Sequence, residues 1–241
     1  MKKRILSILL LCCMVLTLLP TTVLAADGPM DTIPKYDVSI DVYNRTSDIS
    51  IKDSRSYYIY SSVPDKLRDT WAWDKKIFIK GDKTAPHVFI DGVNIEMSPS
   101  SKGPAIELNK KASAYLYFIG KDSTLQGADG RAAIQKNRSE GQLYVLARTG
   151  TTVTCKGGYR AAGIGGSWAI RNIGDSMFNM DMYGHGVNMH FGSQSNPDYW
   201  GGTINATGGE YGAGIGAGSW GHSGHSGNTI HGGAGERLYF Y

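Results

Sequence analysis

The stretch TTVTCKGGYRAAGIGGSW, Thr151 to Trp168, recurs as GTINATGGEYGAGIGAGSW, Gly202 to Trp220, and in looser form as STLQGADGRAAIQK, Ser123 to Lys136. Laid over one another on their threonines, Thr124, Thr152 and Thr203 share a column. Leu125, Val153 and Ile204 share the next, and Gly127, Cys155 and Ala206 form a column of small residues. Glycines follow around Gly130, Gly158 and Gly209. Across a short connector Ile134, Ile164 and Ile215 coincide, each preceded by Ala or Gly, and Ile106 of GPAIEL joins them.

These isoleucines lie 28, 30 and 51 residues apart, and the last gap reads as two shorter units with a divergent one between them. A period in this range belongs to a solenoid, a propeller or an array. Within each unit apolar and polar residues alternate over short runs, the period of a strand with one face buried. Gly-Gly and Asp-Gly corners follow, where positive φ is tolerated. No unit has helical spacing. A repeat of short strands and glycine corners predicts an all-β chain wound as a parallel β-helix, with about eight coils.

Lys2, Lys3 and Arg4 precede an apolar run from Ile5 to Leu19 and then TTVLA, the layout of a secretory signal peptide cut after Ala25. The apolar run falls short of a membrane span, so no span is expected once the leader is removed. Cys12 and Cys13 lie inside the leader, which leaves Cys155 alone, unable to form an intrachain disulfide and read as a buried thiol. Without Lys2, Lys3 and Arg4 the 25 basic residues fall to 22 against 21 acidic ones, and the net charge drops from +4 to +1. That balance argues against nucleic acid as a partner.

The predicted organisation is a leader at 1–25, a remnant and cap strands at 26–47, the β-helix at 48–233 and an irregular tail at 234–241. Val38, Ile40 and Val42 alternate, as do Ile49 and Ile51. Trp71 and Trp73 sit in a covering loop. Asp91-Gly92 is read as a corner between faces rather than a hairpin. MFNMDMYGHGVNMHFG keeps the alternation with Met in place of Ile: Phe178, Met180 and Met182, then Val187, Met189 and Phe191. GNTIHGG reads as the opening of another coil. AGERLYFY leaves the repeat, as either a truncated coil or a short cap.

The succession DISIKDSRSYYIY, KKIFIKG, HVFIDGVNIEM, GPAIEL, YLYFIGKDSTLQG and the AAGIGG units resembles secreted bacterial proteins with the pectate-lyase-like fold. The nearest group is the family of carbohydrate-binding domains built on that fold. The resemblance, over Asp48 to Gly233, implies a single-stranded right-handed parallel β-helix and non-catalytic binding of cell-wall polysaccharide. It also associates calcium with the fold, but it carries no individual site residue.

Trp168 and Trp220 follow similar glycine corners and are expected on one edge of the solenoid, with Tyr199 and Trp200 in the loop before the later repeat. Rows of aromatic rings offer the apolar area and polar rim that a sugar chain needs; the structural alternative is that these rings cover glycine corners. No catalytic or metal residue is assigned. A lyase requires a carboxylate cluster and a base, whereas Asp175, Asp181 and Asp198 are scattered and Arg160 and Arg171 stand apart from them. His222 and His225 lack a third ligand. The expected function is polysaccharide or cell-wall glycan binding, secreted or at the cell surface, by a monomer or part of a longer chain. The alternatives are a structural or adhesive surface repeat and, behind it, a lyase or glycoside hydrolase.

Overall fold

In the computed structural model the described residues are 34–81, 83–101, 103–109, 111–136, 140–171, 184–193, 195–196, 198–222, 230–232 and 235–241. Residues Lys35–Tyr241 pack as one unit; the expected leader and the Phe178–Met182 alternation lie outside the described residues. The chain winds in one direction around three parallel sheets, here A, C and B in the order each turn visits them. Turn one holds β1 (Val38–Asp41) and β2 (Ile49–Ile51). Turn two holds β3 (Ser56–Tyr60) and β4 (Ile77–Ile79), with Trp73 bridging to Ile95 between them. Turn three is β5 (His87–Asp91), β6 (Ile95–Glu96) and β7 (Ile106–Leu108). Turn four is β8 (Ala114–Ile119), β9 (Ser123–Gln126) and β10 (Ile134–Gln135). Turn five is β11 (Leu143–Ala147), β12 (Thr152–Lys156) and β13 (Ile164–Gly165), followed by β14 (Ala169–Arg171). Turn six is β15 (Gly186–Phe191), β16 (Thr203–Thr207) and β17 (Ile215–Gly216), followed by β18 (Ser219–His222) and β19 (Ile230–Gly232). β20 (Gly235–Phe240) then rejoins sheet A.

Sheet A is β1-β3-β5-β8-β11-β15-β20, sheet B is β2-β4-β7-β10-β13-β17, and sheet C is β6-β9-β12-β16. All their pairings are parallel, so this is a parallel β-helix. The isoleucine column is in register through sheet B: Ile49, Ile77, Ile106, Ile134, Ile164 and Ile215. All but Ile215 are buried, and Ile215 packs partly exposed against the same core. Polar neighbours alternate outward because successive side chains of a strand point to opposite faces. The Asp91-Gly92 dipeptide is a corner, since β5 pairs parallel with both β3 and β8. Trp73 is buried and its Nε1 donates to the Arg45 carbonyl at 2.8 Å, so the covering loop is anchored into the core.

Several expectations are corrected. The 51-residue gap is one turn, because Ile164 pairs directly with Ile215; the extra length is an excursion that includes β14. The solenoid therefore has six turns and a further strand in sheet A among the described residues, not about eight coils. In sheet C, Val153 faces Ile204 as read, but Thr124 pairs with Thr154 and Leu125 with Cys155. Gly127 thus leaves the column of Cys155 and Ala206. The two-residue shift preserves the inward face, and the buried Ser123 takes the place opposite Val153, its hydroxyl accepting the Val93 N–H at 3.1 Å. Cys155 is fully buried and burial pushes its thiol pKa up, as an inert core thiol requires.

At the N-terminal end, β1 is the outermost strand of sheet A and pairs with β3. The expected irregular tail is β20, which lies parallel on β15 with Leu238 over Met189 and Phe240 stacked on Phe191 at 5.1 Å. Alternation of Leu238 and Phe240 with Tyr239 supplies the strand period. The GNTIHGG segment supplies β19, which runs antiparallel to β18 instead of opening a coil.

Corners stay narrow where glycine lets one rung touch the next. A Cβ at Gly158 would lie 1.9 Å from the Ala128 carbonyl oxygen, and one at Gly209 2.0 Å from the Gly158 carbonyl oxygen. Replacing Ile106, fully buried between Ile77 and Ile134, by Ala is expected to cost about 2–5 kcal/mol in a urea melt. Ser50→Ala on the outward face of β2 is expected to stay within about 0.5 kcal/mol.

Candidate binding surfaces

The corner from sheet C to sheet B repeats one backbone conformation. Gly130, Arg160 and Tyr211 all have left-handed φ, of 72°, 60° and 64°. The two side-chain-bearing residues each store strain on the order of 1–3 kcal/mol, a cost that marks candidate functional positions. The Arg160 carbonyl fixes this corner by accepting from the backbone N–H of Ser219 at 2.9 Å and from its buried hydroxyl at 3.3 Å.

Aromatic rings gather around the Arg160 guanidinium. Its central carbon lies 4.9 Å from the ring centroid of Tyr159, 5.3 Å from Trp168 and 5.9 Å from Tyr211, within the range of cation–π attraction. Tyr159 meets Trp168 edge-on at 6.4 Å. Trp168 lies against Gly130, whose carbonyl accepts the Trp168 N–H at 2.9 Å. Tyr159 is 40% exposed and Tyr211 is 56% exposed, so both present ring area to solvent. The Glu210 carboxylate, hydrogen-bonded to the Tyr211 phenol, holds its pKa above the usual value. Beneath the rings, Arg160 Nε and Trp168 Nε1 are buried with no acceptor among the described residues. Buried donors of this kind are costly unless something accepts from them.

The outer face of sheet A carries a different aromatic array. His87, Tyr115, Tyr144, His190 and Tyr239 occupy one register position and stack in sequence, with centroids 4.6, 4.5, 4.4 and 4.5 Å apart. Strand spacing of ~4.8 Å sets this distance. A second file runs Tyr58, Phe89, Tyr117 and Leu146. Trp200 closes over it, 5.1 Å from Tyr117. Edge groups are also engaged: Tyr117 Oη lies 3.0 Å from His87 Nδ1, Tyr241 Oη lies 3.1 Å from His190 Nδ1, and the Tyr58 hydroxyl donates to Asp91 at 2.8 Å. Within this sheet the rings stack on one another, and exposed ring area is found on its last strand, at Tyr239 and Phe240. The corner around Arg160 also exposes ring area, at Tyr159 and Tyr211, beside a cation.

The four residues expected to bind sugar do not form one row. Trp168 belongs to the corner, half-buried over a glycine. Trp200 is only 9% exposed on sheet A, with Tyr199 edge-on to it at 4.6 Å, so these two rings cover the second aromatic file. Trp220 pairs with Ala169 rather than sharing a position with Trp168, because Gly218 adds one residue to the second corner. Asp175, Asp181 and His225 lie outside the described residues. Asp198 is exposed in a loop, where its carbonyl accepts the Thr149 hydroxyl. Among the described residues no group of three or more His, Cys, Asp or Glu is placed to hold a metal ion. Tyr159, Tyr211 and the ladder escaped the sequence reading, although the ladder is signalled by the aromatic or His residue repeated in HVFI, AYLYFI, LYVL, NMHF and RLYF.

No family model matches the chain, and neither a curated protein nor a solved structure matches it.

Burial holds the imidazoles of His87 and His190 below their ordinary pKa. The unfolded chain therefore binds protons first, and the ladder's contribution is complete above pH ~6.5 and lost as pH falls through the folded values. The melting temperature is expected to drop on acidification below that point. A His87→Phe, His190→Phe double variant, which keeps the rings, is expected to show a shallower drop in calorimetric scans across the same range.

Proposed function

We propose that the protein binds a polysaccharide or cell-wall glycan without cleaving it, through the corner formed by Tyr159, Arg160, Trp168 and Tyr211. One observation carries the reading: two exposed tyrosine rings flank a guanidinium whose Nε, like the neighbouring indole Nε1, has no acceptor among the described residues. Exposed aromatic area beside a cation and two phenols is complementary to a sugar ring, whose C–H face packs on aromatics and whose hydroxyls can pair with the phenols. The parallel β-helix supplies a rigid base, so little ordering cost attaches to the protein side. The leader-like segment Lys2 to Ala25 supports a location outside the cell or at its surface. The proposal assigns no cleavage to the corner, whose described groups are a guanidinium, phenols and an indole, with Glu210 bound to the Tyr211 phenol and Asp129 exposed two rungs away. A glycosidase mechanism needs two facing carboxyl groups.

Affinity electrophoresis through gels containing soluble xylan, cellulose derivatives or polygalacturonate tests this. The Tyr159→Ala, Tyr211→Ala double variant is expected to lose retention, corresponding to affinity weaker by about tenfold or more (~1.4 kcal/mol). Its melting temperature should stay near that of the parent, because both rings are exposed. Retention equal to the parent's in every gel that retards the parent would contradict the proposal, as would a parent that no gel retards.

A further inference from the structure

We infer that a second sugar subsite lies on the same corner of the solenoid, in the cleft at turns two and three, so that one glycan chain runs parallel to the helix axis across both. This rests on the binding reading above and extends it. The cleft measures ≈ 350 Å³ and is lined by Asp48, Asp74, Lys76, Met97, Ser98 and Ser101. That volume falls within the ~300–1,000 Å³ typical of small-molecule sites.

Register places the cleft and the aromatic corner on one line. Gly103, on the cleft wall, accepts the Ala128 N–H at 3.0 Å. Ala128 in turn lies against Gly158, and Gly158 against Gly209. These four positions are the same corner in four successive turns, and Tyr159, Arg160 and Tyr211 follow the last two in sequence. With rungs ~4.8 Å apart, the two subsites are separated by roughly 10–15 Å along the axis. On the rung between them Asp129 is exposed, Ala128 is buried and Gly130 lies beneath Trp168, so the path crosses the indole.

The lining fits a hydroxylated ring. Met97 is a buried apolar floor, while the Ser101 hydroxyl sits at the mouth, donating to the Ser98 carbonyl at 2.8 Å. Around it, Asp74 pairs with Lys75 at 2.7 Å and Lys76 with Glu107 at 2.6 Å. Asp48 accepts the Lys76 N–H at 3.1 Å. Asp48, Asp74 and Glu107 are thus interspersed with Lys75 and Lys76, giving both acceptors and donors. Sugar hydroxyls, which donate and accept, can pair with such a mixture.

Calorimetric titration of the full chain with a disaccharide and a hexasaccharide from each of the xylan, cellulose and polygalacturonate series tests the inference. For the series that binds, the parent should hold the hexasaccharide at least tenfold more tightly than the disaccharide. Asp74→Ala with Ser101→Ala should reduce that gain to about threefold or less without altering disaccharide affinity, and Ser101→Arg, which fills the cleft, should do the same. Tyr159→Ala should weaken both lengths. If the hexasaccharide gain is missing, or survives both cleft variants while Tyr159→Ala still weakens binding, the second subsite is overturned and the corner reading stands. If no oligosaccharide binds and Tyr159→Ala changes nothing, both are overturned.

Discussion

In-register stacking of like side chains above one another is the constraint from which the rest of this molecule follows. A parallel strand offers its neighbour the same residue parity at the same height, so an isoleucine at one rung has an isoleucine above and below it in a dry interior. Each such side chain contributes ~1.5–3 kcal/mol by leaving water, and the ladders of backbone bonds hold the register that makes this packing repeat. The fit is sensitive to volume at the corners, where Gly158 and Gly209 allow carbonyl groups of adjacent rungs to approach within distances a side chain would forbid.

The outer surface inherits that register. Outward residues at one position also stack, which turns single aromatic residues into the His87–Tyr239 ladder and repeats a left-handed corner at Gly130, Arg160 and Tyr211. Two kinds of aromatic surface result. On sheet A the rings are one strand apart and stack on one another up to the last strand. At the corner, Tyr159 and Tyr211 keep exposed ring area beside the Arg160 guanidinium. Function is proposed for the second kind because recognition requires unoccupied area, and a solenoid naturally extends such a site along its axis.

Much of the fold was legible in the sequence because a buried column repeats its residue type. Ile106, Ile134, Ile164 and Ile215 gave the register of sheet B directly. The slip at Thr124 came from matching threonines across a supposed connector. Carrying the 30-residue step from Ile134 to Ile164 back through the unit puts Thr124 on Thr154, which is the observed pairing. The 51-residue gap looked like extra coils because an excursion and a divergent coil have similar lengths. β20 was missed because its rung is made with Leu and aromatic residues where the repeat uses Ile and Val. The site was less legible: Trp168 was found, but its partners Tyr159 and Tyr211 stand at non-equivalent sequence positions and meet only through the guanidinium between them. One inserted glycine, Gly218, separated Trp220 from the position its motif implied.

The most direct test of this account is a nuclear Overhauser experiment on protein labelled only at isoleucine δ1 methyl groups. The stacked interior predicts an unbroken chain of cross-peaks from Ile77 to Ile106, Ile134, Ile164 and Ile215, in that order. A spectrum in which Ile134 shows contact with neither Ile106 nor Ile164 would contradict the stacked register, and with it the line on which both proposed subsites lie.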